Sequence, residues 1–258
     1  MTAVDPRAVV SPRAELASDV VVGAFTVIGD GVRIGAGTWI GPHAVVNGPT
    51  TIGEGNKIFQ FASIGDAPQD LKYQGEPTRL EIGDRNVFRE FTTMNRGTVG
   101  GGGVTRIGSD NLFMAFTHVA HDCKVGSRVV MANYATLAGH CEVGDWVIMG
   151  GYAGLHQFTK VGAHAFLAND AKVTRDVPPY VMAVGSPAEP HSINSEGLKR
   201  RGFTPDQIRN LKNAYRVLYR SDLKLADAVA ELTQRAATQP ELKLLVDFIG
   251  ASTRSLVR

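Results

Sequence analysis

Cysteine is scarce, with Cys123 and Cys141 alone in 258 residues. Two thiols exclude a secreted disulfide scaffold, and neither has the companions a zinc finger needs. Long apolar runs are missing as well. No stretch approaches the roughly 18 residues of a membrane span, so no integral membrane segment is expected. The opening, MTAVDPRAVVSPRAELASD, carries acids and prolines where a signal peptide has a basic start and an unbroken apolar run. The expected location is cytoplasmic. An excess of one charge is also lacking: the net charge of +2 gives no field that would hold nucleic acid, so an anionic ligand must be met locally.

What is present is a globular composition, 43% hydrophobic and 20% charged, with 29 glycines that follow no collagen-like period of three. Their excess points to a recurring turn. Stepping by six from Val10, the chain reads Leu16, Val22, Ile28, Ile34, Ile40, Val46, Ile52, Ile58 and Ile64. The register resumes at Ile82, Phe88 and Met94, and again from Ile107 to Val173, without a polar exception in 25 positions. Glycine often follows the anchor (Gly23, Gly35, Gly53, Gly126, Gly144), where a turn needs either an unusual φ or close backbone approach. Two positions before the anchor stands a slender residue such as Thr26, Thr38, Cys123, Ala135 or Cys141, which predicts a narrower inward position.

A period of six suits neither a helix nor a simple hairpin, but it fits short strands joined by sharp corners in a parallel β-helix. Three hexapeptides per coil make a triangular prism, in which residues 18 apart stack about 4.8 Å apart. Cys123 and Cys141 then stack as small buried thiols. Two polar stretches, near 66–81 and 95–106, leave the register as loops, the kind of segment that carries function on a rigid scaffold. The pattern stops after Val181. Thr204-Pro205 reads as an N-cap with proline at the first helical position, followed by Ile208, Leu211, Tyr215, Leu218 and Tyr219 at helical spacing. Further helices are expected over 223–235 and 240–250. The fold class is therefore mainly β: a β-helix over 1–187 and a small α-helical domain over 188–258.

Five of the seven histidines, His118, His121, His140, His156 and His164, fall in the last third of the repeat. The 18-residue arithmetic places His121, Gly139-His140 and His156-Gln157 along one edge. A buried imidazole needs a partner, so such a column is poor packing material and good chemical material. It could hold zinc, or one histidine could act as a general base on a sugar hydroxyl attacking an acyl thioester. His121-Asp122 leans towards the base, because an adjacent carboxylate fixes the tautomer and stabilises the imidazolium.

The strings TIGEGNKIFQFASIGDAPQDLKYQGEPTRLEIGDRN, HVAHDCKVG, ANYATLAGH, LHQF, DVPPYV and EGLKRRGF resemble the UDP-N-acetylglucosamine acyltransferases over nearly the whole chain. The repeats alone are shared by many transferases; the loop strings and EGLKRRGF are far more specific. The resemblance implies a left-handed coil and a homotrimer with active sites between neighbouring prisms. The implied reaction moves a 3-hydroxyacyl chain from acyl carrier protein to the glucosamine 3-position of UDP-N-acetylglucosamine, the first step of lipid A synthesis. It implies no metal and no cofactor beyond the carrier's phosphopantetheine.

Carried onto this sequence, the resemblance makes His121 the general base, Asp122 its orienting partner and Gly139 the donor of an oxyanion-facing amide, worth roughly 3 kcal/mol in comparable enzymes. Asp70 and Lys72 would meet the acyl hydroxyl and the sugar nucleotide. His118, His140, His156 and Gln157 would line the groove, and Asn194, Glu196, Arg200 and Arg201 would grip uridine and phosphates. The basic residues Arg209, Lys212, Arg216 and Arg220 would receive an acidic carrier protein. Two positions depart from the family pattern. Asn95 stands where many members have histidine, and Asn169 stands where some have glycine beside the acyl tail, so a shorter acyl chain is expected. Rival readings are an N-acyltransferase or acetyl-CoA-dependent transferase of the same fold, a zinc-dependent hydratase and a non-catalytic scaffold. Whether the acceptor is a 3-hydroxyl or a 3-amino group does not follow from the residues.

Overall fold

A computed structural model describes residues 3–258. Residues 3–193 wind into a prism whose three faces are parallel sheets, closed on the first face by one antiparallel strand. Successive strands of two to four residues pass from the first face to the second to the third and back, as in Leu112–Phe113, His118–Val119 and Lys124–Val125. Strands pair 18 residues apart, Val22 with Ile40 and Met131 with Met149. The anchors from Val22 to Val173 are all buried in one continuous core. Two residues before the anchor, the slender side chain bonds to a carbonyl of the next coil: Thr26 Oγ1 to Gly41 O at 2.6 Å, Cys123 Sγ to Ala138 O and Cys141 Sγ to His156 O, both at 3.2 Å. The cysteines are thus free, buried and hydrogen-bonded, as expected of small core residues.

Close approach explains the post-anchor glycines. A Cβ on Gly35 would lie 2.7 Å from the Gly53 carbonyl carbon, and one on Gly144 would lie 2.6 Å from the Ala163 nitrogen. Left-handed φ falls instead three residues after the anchor, mostly on bulky or polar residues: Phe25, Phe61, Tyr134, Asp122, His140 and Phe158, among others, at about +60°. Side chains at these corners project outward and stack. On the corner between the first and second faces, Phe91, Phe116, Tyr134 and Tyr152 stand 4.8 Å apart in succession.

The two loops leave the prism where the second face turns into the third. Ile64 pairs with Met94 and Ile82 with Ile107, offsets of 30 and 25 that measure the inserted residues. The first face then gains Val181–Val184 and the antiparallel Glu189–Ile193. Helices α1 (Ser195–Arg200), α2 (Pro205–Tyr219), α3 (Leu225–Ala236) and α4 (Lys243–Ala251) follow, with Pro240 opening a 3₁₀ turn ahead of α4. Thr204 and Gln207 form a reciprocal capping box on α2, whose Ile208, Leu211, Ala214 and Leu218 are buried. No helix among the described residues is long and apolar enough to cross a membrane.

Phe88 and Phe113 are fully buried and stack at 5.0 Å, 7° from parallel, in adjacent coils. Phe88→Ala is expected to cost about 3–5 kcal/mol, seen as a lower denaturation midpoint.

Candidate active site

The corner between the second and third faces carries two outward columns. His121, Gly139 and Gln157 form one; Asp122, His140 and Phe158 form the other, each of the latter three at left-handed φ. The consequence is chemical. His121 Nδ1 lies 2.8 Å from Asp122 Oδ2, and no group among the described residues takes its Nε2. The Asp122 side chain is 1% exposed and that of His121 14%. His140 Nε2 stands 3.7 Å from Asp122 Oδ2, its ring edge-on to His121 at 5.1 Å and stacked on Phe158 at 4.4 Å.

Gly139 packs against the imidazole: a Cβ there would lie 2.5 Å from His121 Cε1. Its carbonyl accepts from Phe158 N–H, whereas its own N–H finds no acceptor among the described residues. An unengaged amide beside an imidazole suits an oxyanion donor. His118 bonds Thr93 Oγ1 through Nδ1 at 2.7 Å. Burial, then the neighbouring His121, holds His118 below the ordinary imidazole range. Burial also outweighs Asp122 in lowering His140. Both rings favour the neutral form.

The first loop reaches this corner. Asp70, Lys72 and Tyr73 face His140 and Phe158 across a cleft of about 290 Å³. Asp70 Oδ1 accepts from Lys72 N–H at 3.0 Å, shaping the turn. Asn95 joins the loops rather than facing the cleft; it is buried and donates through Nδ2 to Ala67 O at 2.9 Å. A second cleft, of about 430 Å³, lies on the other side of His140 among Lys124, Lys160 and Arg254. A larger groove of about 800 Å³ runs between the third face and Leu244 and Phe248 of α4, but holds no histidine–carboxylate pair.

Other expected residues lie apart. His156 is exposed, its Nδ1 on Gln157 O at 3.2 Å, and bonds to neither His121 nor His140. The edge therefore holds two imidazoles in contact, with Phe158 stacked on His140 where a third histidine was expected, because 140 and 158 are the true 18-residue partners. Arg201 sits at the corner between the third and first faces. There its Nη1 donates to His164 Nδ1 at 3.2 Å, and its guanidinium lies over Trp146 at 5.3 Å. Burial, then Arg201, pushes His164 down to about 4. Asn194 caps α1 through Gly197 N–H at 3.1 Å and donates to His164 O at 3.0 Å. Glu196 pairs with Lys199 at 2.7 Å, and Arg200 is exposed. Within one chain, this corner is a face away from His121. Asn169, also exposed, accepts from Gly151 N–H at 3.0 Å.

Reading the sequence missed Thr98, Gly101 and Arg254. The run of glycines in GTVGGGG was the available signal for the first two, since repeated glycine marks close backbone approach. Arg254 Nη1 donates to Gln157 O at 3.1 Å, but gave no pattern to find.

Comparison with known proteins decides the family. Residues 176–257 match the second domain of the UDP-N-acetylglucosamine O-acyltransferases, and residues 31–66 and 105–139 match the six-repeat bacterial transferase hexapeptide. The acyl-(acyl-carrier-protein)-UDP-N-acetylglucosamine O-acyltransferase of Thiobacillus denitrificans is 56% identical over 258 residues, all of both chains. That of Neisseria gonorrhoeae is 55% identical over the same span. The chain belongs to the UDP-N-acetylglucosamine O-acyltransferase family. The Francisella novicida UDP-N-acetylglucosamine acyltransferase superposes with a TM-score of 0.97 at 41% identity, covering 99% of this chain and 94% of that one. The Moraxella catarrhalis enzyme gives 0.97 at 43%, covering 99% of both. The prism is accordingly a left-handed parallel β-helix and the protein an acyltransferase.

In this acyltransferase, Gly139→Ala should displace the His121 ring. A loss of about 100-fold in acyl transfer is expected, the scale of an ångström's misplacement at a reacting centre, while the thermal midpoint stays near that of the wild type.

Proposed function

We propose that this acyltransferase transfers a 3-hydroxyacyl chain from acyl carrier protein to the glucosamine 3-position of UDP-N-acetylglucosamine, opening lipid A synthesis in the cytoplasm. One observation carries the reading: an imidazole held by a buried carboxylate through Nδ1, with Nε2 unengaged and an unengaged amide beside it. His121 Nε2 takes the proton of the 3-hydroxyl as its oxygen attacks the thioester carbonyl. Asp122 keeps the other proton on Nδ1 and stabilises the imidazolium that forms. Gly139 N–H meets the oxyanion. Collapse breaks the carbon–sulfur bond, and the imidazolium returns the proton to the departing phosphopantetheine thiolate. The donor's phosphopantetheine is the only prosthetic group in the scheme.

Asp70 and Lys72 take the acyl hydroxyl and the sugar nucleotide across the first cleft, and His118, His140, His156 and Gln157 line the groove. Asn194, Glu196, Arg200 and Arg201 bind uridine and phosphates from a neighbouring copy. Their position on another corner of the same prism favours a homotrimer with sites between chains. The exposed basic residues Arg209, Lys212 and Arg216 of α2, with Arg220 at its C-cap, dock the acidic carrier protein.

A metal centre has one observation in its favour: donor atoms of His121, Asp122 and His140 lie within 4.8 Å of one another. Against it, the Asp122 oxygens already receive Thr98 N–H and Oγ1 as well as His121. A cation would have to displace those donors.

Incubating the protein with UDP-N-acetylglucosamine and a panel of 3-hydroxyacyl carrier proteins, then weighing the products, tests the reaction. His121→Ala is expected to lose about 1,000-fold or more without unfolding, and a chelator to leave the wild-type rate unchanged. Retention of transfer by His121→Ala sinks the general base.

Asn169, tied across coils to Gly151, shortens the acyl channel in this reading. Asn169→Gly should shift the preferred chain towards longer acyl groups; an unchanged ranking in the same assay rejects the assignment.

A further inference from the structure

Asp122 is held from a direction that the repeat does not supply. The second loop forms a short 3₁₀ turn, Val99–Gly101, closed by Gly103 N–H on Thr98 O at 2.7 Å and fastened to the prism by Arg79 N–H on Gly103 O at 2.9 Å. From that turn Thr98 N–H reaches Asp122 Oδ1 at 2.8 Å, and Thr98 Oγ1 reaches Oδ2 at 2.6 Å. Thr98 is itself buried, at 9% exposure. Asp122 Oδ2 therefore takes two donors, the threonine hydroxyl and His121 Nδ1, and Oδ1 takes the third. A Cβ built on Gly101 would fall on the Asp122 carboxylate, so the turn lies as low over that group as a chain can. The coil meanwhile fixes the Asp122 backbone through its N–H on Thr105 Oγ1 at 2.8 Å.

A carboxylate removed from water and bonded to an imidazole alone keeps rotational freedom and unused lone pairs, and both weaken its hold on the ring. We propose that Thr98 is a positioning residue of the acyl-transfer reaction. By clamping both Asp122 oxygens it fixes the plane of the carboxylate, and through it the tautomer and aim of His121; Gly101 is glycine because any side chain would lift the clamp. This rests on His121 being the general base. It adds a third member, 24 residues away from Asp122 in sequence, to the pair that the corner provides.

The test is steady-state transfer from a 3-hydroxyacyl carrier protein to UDP-N-acetylglucosamine. Thr98→Val keeps shape and backbone N–H but removes the hydroxyl, so kcat should fall about 10- to 100-fold, the range for a hydrogen bond to a charged group. KM for both substrates should stay within about threefold, and Thr98→Ser should recover most of kcat. Added to Asp122→Asn, Thr98→Val should cost less than about threefold, because the two act as one unit. Wild-type kcat in Thr98→Val overturns the proposal, as does a full multiplicative loss in the double variant. If Thr98→Val fails to fold, Gly101→Ala gives the same reading: it keeps the hydroxyl but lifts the turn, so an unchanged kcat is again fatal. His121→Ala run alongside separates the two ideas. Activity there removes the base itself, whereas an inactive His121→Ala beside a fully active Thr98→Val removes the clamp alone.

Discussion

Every position of the prism is governed by the requirement that each coil hydrogen-bond to the next in register. Parallel pairing at an offset of 18 residues leaves the backbone of a strand no freedom to slip, because a slip of one would expose the whole anchor row. Extra residues can enter only where the chain is between strands. Both loops do so at the same corner, where the second face turns into the third, one coil after another. The next two residues along that column are Asp122 and His140. The loops and these two side chains thus meet through the register alone, and the first cleft is the space between a loop tip and the coil that follows.

The same constraint sets the backbone at the corners. To turn within four residues the chain adopts left-handed φ, unfavourable for a residue with a Cβ by roughly 1–2 kcal/mol. Glycine would relieve the strain, yet most coils place an aromatic, histidine, aspartate or arginine there. Stacking offsets part of the cost, since aromatic pairs contribute about 0.5–1.5 kcal/mol beyond burial. At the active corner the device has a second use. A left-handed residue throws its side chain outward, so His140 lines the cleft and Asp122 meets the second loop and not the core, while His121, one residue earlier, packs against Gly139.

Much of this was legible from residue order. The apolar row at period six marked the core anchors, the slender row marked the inner hydrogen-bonding position, and Thr204-Pro205 marked the start of α2. Within the site, His121 beside Asp122 needed only adjacency to be seen. His156 misled because counting from 121 reaches 157, and the ring actually stacked on His140 belongs to Phe158. Thr98 was invisible for a different reason: its contact with Asp122 depends on how a glycine-rich loop folds back, and loop conformation has no period. Arg201 was found by resemblance, but the repeat gave no means of knowing that one chain holds it on a different corner.

The charge pattern gives this division of labour a physical sense. The general base proposed above must be neutral before the reaction and must tolerate a proton during it. His118 and His140, both lowered by burial, add no positive charge beside His121, and Asp122 faces the imidazole at 2.8 Å. At the other corner the order is reversed. His164 is pushed down to about 4 by burial and then by Arg201, so its Nδ1 serves as an acceptor and holds the guanidinium without competing with it. Arg201 thus shares the Trp146 ring with Arg128, at 5.3 and 4.7 Å, two cations suited to an anionic ligand, while among the described residues no cation stands between the His121 and His140 rings. In the proposed reaction, separating the phosphate-binding charge from the proton-transferring imidazole by one face of the prism keeps each from shifting the other, and a second copy of the chain would bring them together only across the substrate.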